Sequence, residues 1–126
     1  MSITRTLLTI PATIAALALS TAAHAHADLV SSTPAGGATV AAPAKLELRY
    51  NEKLAQKSWV ELFRTGAQGK AATPAPIALS VALAADGRTL VAKLQKPLAT
   101  GSYLIAWHAI AADGDRTNGT IRFIVR

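Results

Sequence analysis

The chain has 126 residues, with 13 basic and 7 acidic side chains and a formal net charge of +6. It contains no cysteine, which excludes disulfide frameworks, zinc ribbons and thiolate sites. The basic side chains are scattered singly, a pattern that is typical of a basic soluble domain and argues against nucleic-acid binding. The sequence has no glycine-rich phosphate loop, Ser-His-Asp arrangement or metalloprotease helix motif, so it does not predict an enzyme.

Residues 1–25 have the features of a secretory signal peptide. One arginine lies near the start, an apolar run follows at 7–19, and the segment ends in Ala-His-Ala. The apolar run is shorter than the roughly 20 residues that a membrane helix needs, so no stable membrane anchor is expected. Cleavage after Ala25 makes His26 the first residue of an exported domain.

The position of the cut decides the chemistry of the new N-terminus. If the chain begins at His26, its free α-amine and imidazole can chelate a metal ion together. Cleavage after Ala23 would instead give a chain that begins His24-Ala25-His26. A histidine at position three completes a square plane for Cu(II) or Ni(II) with the amine and two backbone nitrogens. Cleavage after Ala27 would remove the chelate.

The region 26–126 has the length of one domain. Alternation of polar and apolar residues and frequent turn signals predict a small all-β sandwich. The turn signal at 85–88 predicts a hairpin between two of its strands. The predicted strands are seven in number, at about 28–32, 45–50, 59–63, 77–83, 89–94, 102–110 and 120–125. The aromatic residues predicted to lie in the core are Tyr50, Trp59, Phe63, Tyr103 and Trp107.

Metal-ligating side chains are scarce in the predicted domain. Its histidines are His26 and His108, and His24 joins them only if cleavage precedes it. The densest group of carboxylates is Asp113-Gly114-Asp115, between the last two strands. Aspartate and glycine are common in turns for conformational reasons alone. A strand histidine such as His108, on the opposite face from Trp107, is more often a hydrogen-bonded structural residue than a ligand. The residues by themselves leave both roles open.

Several separated motifs resemble those of the CopC/PcoC/YobA family of periplasmic copper-binding proteins. They occur in the family's order and span nearly the whole predicted domain. The matching segments are His26-Ala27-Asp28-Leu29 with Ser32-Thr33-Pro34, Lys45-Leu46-Glu47-Leu48 with Asn51-Glu52, Pro97-Leu98-Ala99-Thr100-Gly101-Ser102-Tyr103 with Trp107, and Asp113-Gly114-Asp115 with Gly119.

The resemblance implies a small Greek-key, Ig-like β-sandwich or barrel that binds Cu(II) in the periplasm. The family's ligands are an N-terminal histidine and the aspartate and histidine of an Asp-x-His loop. These positions correspond to His26, Asp113 and Asp115, so a carboxylate stands where the family has its second imidazole. Because imidazole suits Cu(II) well, we expect weaker binding than a two-histidine site gives. His108 is a possible extra ligand.

The resemblance implies a role in copper homeostasis or resistance, with an inner-membrane copper transporter or another copper carrier as a possible partner. The family's Cu(I) site uses methionine, and the only methionine here is Met1, so no Cu(I) site is expected. One alternative is an exported β-sandwich that has lost metal binding and acts as an interaction module. A copper-dependent oxidative enzyme would need a second histidine near His26.

Overall fold

The computed structural model describes residues 26–66 and 75–126. These residues form eight β-strands and no helix, so none of them forms a helix that is long and apolar enough to cross a membrane. In chain order the strands are β1 (Leu29–Thr33), β2 (Thr39–Val40), β3 (Lys45–Tyr50), β4 (Trp59–Arg64), β5 (Leu79–Leu83), β6 (Thr89–Leu94), β7 (Gly101–Ile110) and β8 (Arg116–Val125). The predicted all-β class is confirmed.

The strands form two four-stranded sheets with the orders β1-β3-β6-β5 and β2-β8-β7-β4. All pairs are antiparallel except β2 with β8, which run parallel. The predicted sandwich is therefore confirmed, with one strand more than the sequence indicated. That strand, β2, has two residues and is too short to show any alternation. The last strand begins at Arg116, earlier than predicted.

The predicted hairpin is the β5–β6 pair. The backbone N–H groups of Arg88 and Thr89 and the Thr89 hydroxyl all donate to the Asp86 carboxylate at 2.8–3.1 Å. These hydrogen bonds lower the pKa of Asp86 because they favour its charged form. The bond from the Arg88 N–H makes the largest contribution. Gly87 has a φ of 70°, a left-handed conformation that glycine adopts without steric cost. This turn fixes the register of the pair.

The inner faces of the two sheets form one apolar core. Tyr50 contacts Trp107 edge to face, with ring centroids 5.4 Å apart, and burial raises the pKa of the Tyr50 hydroxyl. The prediction that Trp59 belongs to the core is wrong, since its side chain is 40% exposed, while Phe63 is only partly buried. The residues of β4 that point inward are Val60 and Leu62.

Trp107 packs against the backbone of β8 where that strand carries Gly119. A Cβ atom at position 119 would lie 2.5 Å from Cζ2 of the indole, closer than real Cβ contacts allow. The two residues are directly paired in the β7–β8 ladder. Glycine is therefore required here by the volume of the indole and not by an unusual backbone conformation.

We expect Gly119→Ala to destabilise the protein by about 1–3 kcal/mol, because the added methyl group overpacks the core against Trp107. Urea unfolding followed by circular dichroism measures this change. Gly36→Ala is the matched control, since its Cβ would meet Ile121 at an ordinary 3.8 Å. Equal midpoints for the two variants would contradict this account of Gly119.

Candidate metal-binding site

The first described residues are fastened to both sheets. The Thr117 hydroxyl of β8 donates to the Ala27 carbonyl at 2.6 Å. The Asp28 N–H donates to the Asn51 side-chain oxygen at 2.8 Å, and the Asn51 N–H donates to the Asp28 carbonyl at 3.1 Å. Ala27 itself is fully buried. We call these three hydrogen bonds the N-terminal clamp, and they fix where the preceding residue, His26, emerges.

The loop between β7 and β8 is a tight turn built from its own aspartates. The Asp115 N–H donates to the Asp113 carboxylate at 3.1 Å, and the Ala111 N–H donates to the Asp115 carbonyl at 2.8 Å. Gly114 between the aspartates has a φ of 96°, where a side chain would be strained. Turn formation is thus one role of Asp113, and it sets the direction in which Asp115 leaves the loop.

The clamp and the loop bring His26 and Asp115 together. Nδ1 of His26 lies 3.8 Å from Oδ2 of Asp115, and both side chains reach solvent, with exposed fractions of 58% and 37%. Metal–nitrogen and metal–oxygen bonds of about 2.0–2.2 Å could span this separation. Within residues 26–66 and 75–126, however, no three histidine, cysteine or acidic side chains converge as a ready ligand set.

The other predicted site residues lie elsewhere or outside the described residues. His108 lies on the outer face of the second sheet, where its ring stacks on Trp59 and its Nε2 faces Glu61, so it is not part of the His26–Asp115 pair. His24 and Ala25 lie outside the described residues.

Three residues that contribute to these arrangements were not predicted as functional: Asn51, Thr117 and Glu61. Asn51 and Thr117 act through hydrogen bonds to a segment far away in sequence, for which local patterns give no signal. Glu61 could have been recognised only from the β4–β7 register, because that register alone places it near His108.

The comparisons with known proteins agree with this architecture. Residues 29–126 match the CopC domain family. The chain belongs to the CopC family. Copper resistance protein C of Xanthomonas campestris pv. juglandis is 37% identical over 123 residues, which are 97% of each chain. Copper resistance protein C of Pseudomonas syringae pv. tomato is 37% identical over 113 residues, 89% of this chain and 90% of that protein.

Solved CopC-family structures share the fold. PcoC, described as a methionine-rich copper resistance protein from Escherichia coli, superposes with a TM-score of 0.72 at 36% identity. That comparison covers 81% of this chain and all of PcoC. CopC from Methylosinus trichosporium OB3b gives a TM-score of 0.67 at 26% identity, covering 79% of this chain and 93% of that one.

We expect Thr117→Val to loosen the start of this CopC-family domain, because valine keeps the shape of threonine but cannot donate to the Ala27 carbonyl. The free energy of unfolding should fall by about 0.5–1.5 kcal/mol. Amide exchange should become faster, and NMR order parameters should decrease, more at residues 27 and 28 than elsewhere. Thr120→Val, on the exposed face of the same strand, is the control. If residues 27 and 28 exchange equally in both variants, the clamp does not hold the terminus.

Proposed function

We propose that this CopC-family protein binds Cu(II) in the periplasm and serves copper resistance. Membership of the family supports copper as the metal. The observation that carries the site assignment is the 3.8 Å approach of His26 Nδ1 to Asp115 Oδ2. It joins the beginning of the domain to its last loop. Both side chains are partly exposed, although Oδ2 of Asp115 itself is buried.

Cleavage after Ala25 would give His26 a second nitrogen donor. The new α-amine is separated from Nδ1 by three carbon atoms, so both can close on one ion in a six-membered ring. Nδ1 is the ring nitrogen with the right reach, and it is also the one that faces Asp115. Cu(II) favours such tetragonal sets of nitrogen and oxygen donors. In this proposal Asp115 supplies a third donor. Asp113 does not converge with this pair in the structure, so it supplies a fourth donor only when the oxygen that does not close the turn moves towards the ion.

The carboxylate at Asp115 sets the selectivity of the proposed site. Oxygen is a harder donor than imidazole nitrogen, so the set discriminates less strongly for copper than one with two histidines. Nitrogen coordination at this site then depends on His26 alone, and its α-amine donor depends on removal of the signal peptide after Ala25. The ion would be held at an exposed edge, where a transporter or another copper carrier has access to it.

We expect Asp115→His to strengthen Cu(II) binding by about tenfold or more, because it adds a second imidazole beside that of His26. Asp115→Asn should weaken binding, because it replaces a charged donor with a neutral one of similar size. Both variants are compared with the wild-type mature chain in competition titrations against a chelator of known Cu(II) affinity. Intact mass must first show that the exported chain begins at His26.

Two outcomes would contradict the proposal. Equal affinities for the Asp115→Asn variant and the wild-type chain would remove Asp115 from the site. No stoichiometric Cu(II) binding by a chain that begins at His26 would favour instead an exported β-sandwich that acts as an interaction module.

Copper affinity should fall steeply as the pH is lowered from about 8 to 5. Protons compete with the metal for the α-amine and the imidazole of His26, because each nitrogen binds the ion only when it is deprotonated. A chain with an acetylated N-terminus is the control, because it keeps the imidazole but loses the amine. It should bind more weakly at pH 8 and lose less affinity on acidification.

A further inference from the structure

A second group of metal-ligating side chains lies on the outer face of the second sheet. The β4–β7 register pairs Trp59 with His108 and places Glu61 two residues further along the same face. The imidazole stacks on the indole with ring centroids 4.2 Å apart and an angle of 13°. Nε2 of His108 lies 3.6 Å from Oε1 of Glu61, and the indole N–H donates to that same oxygen at 3.4 Å.

This group is separate from the His26–Asp115 pair. Side chains alternate along β7, so Trp107 and Ala109 point into the core while His108 between them points away from it. Thr117, which holds the first residues of the domain, contacts buried Ala27, whereas its neighbour Asn118 pairs with His108 and is exposed. His108 therefore lies on the outer face of the second sheet, whereas the His26–Asp115 pair lies at the loop between β7 and β8.

The distance between Nε2 of His108 and Oε1 of Glu61 would allow both atoms to bind one metal ion. At 3.6 Å it is an ion-pair contact that is longer than the weak 3.4 Å hydrogen bond from the indole to the same carboxylate. Two donors that each lie about 2.0–2.2 Å from one metal ion can be separated by 3.6 Å at a wide ligand–metal–ligand angle. The side chains are 35% and 36% exposed, so an ion can enter and water can complete its coordination.

Trp59 orients both His108 and Glu61 for metal binding. Its ring restricts the plane of the imidazole, and its N–H holds one carboxylate oxygen next to the imidazole. Outer contacts of this kind orient the ligands of protein metal sites and raise their affinity. They also explain why a tryptophan that the sequence assigned to the core is 40% exposed on a sheet face.

We propose that His108 and Glu61, oriented by Trp59, form a second site for a divalent transition-metal ion, with Cu(II) as the strongest binder. One imidazole and one carboxylate suit copper, nickel and zinc, and Cu(II) stands highest in affinity among them for such donors. With two protein ligands, this site binds more weakly than a chelate formed by an N-terminal histidine. It does not depend on His26 or on removal of the signal peptide.

The test uses the mature chain carrying His26→Ala, which removes the imidazole of the first site and leaves the second intact. Calorimetric titration with CuCl2 should show one Cu(II) per chain, and electron paramagnetic resonance should show coupling to imidazole nitrogen. Adding His108→Gln or Glu61→Gln should weaken this binding more than about tenfold. Trp59→Phe keeps an aromatic ring but loses the N–H, and should weaken it about tenfold.

Glu47→Gln is the matched control, because Glu47 is a strand carboxylate of similar exposure that pairs with Lys45 and not with a histidine. It should leave the titration unchanged. The proposal is overturned if the His26→Ala chain binds no Cu(II), or if its binding survives His108→Gln. Circular dichroism of each variant establishes that it is folded, and the Asp115 variants test the first site independently.

Discussion

The alternation of buried and outward-facing residues from Tyr103 to Ala109 in β7 is the constraint on which the rest of the molecule depends. This ten-residue strand pairs with β4 on one side and with β8 on the other, so its register positions half the sandwich. One set of its side chains, including Trp107, fills the core. The other set, including His108, faces outward. A shift by one residue would exchange the two environments, expose the indole and bury an imidazole without its carboxylate partner.

The sequence predicted the two sheets well where one face is apolar and the other polar, as in β3. It was less informative in β4, where apolar residues occupy both faces. Glu61 shares the parity of Trp59, and a charged side chain on that face was the available sign that the tryptophan points outward. The two-residue strand β2 could not be predicted, because it exists only through pairing with β8.

Part of the candidate site could likewise be predicted from the sequence, and part could not. His26 and the Asp113–Asp115 loop could be named in advance, because a predicted cleavage point before His26 and a resemblance to known motifs marked them. The hydrogen bonds that hold these residues in place could not be predicted. The contacts of Thr117 with Ala27 and of Asn51 with Asp28 join segments that are distant in the chain. Such bonds depend on how the strands stack, and no local pattern of residues encodes them.

The burial of Ala27 bears on how well the start of the domain resists trimming by proteases. Chain ends are trimmed where they are loose, since an exopeptidase needs an extended, accessible segment. In a chain that starts at His26, a single residue projects before the backbone enters the packed interior. Trimming would require breaking the Thr117 bond and withdrawing a fully buried methyl group. In such a chain, the contacts that orient His26 would also protect it from removal.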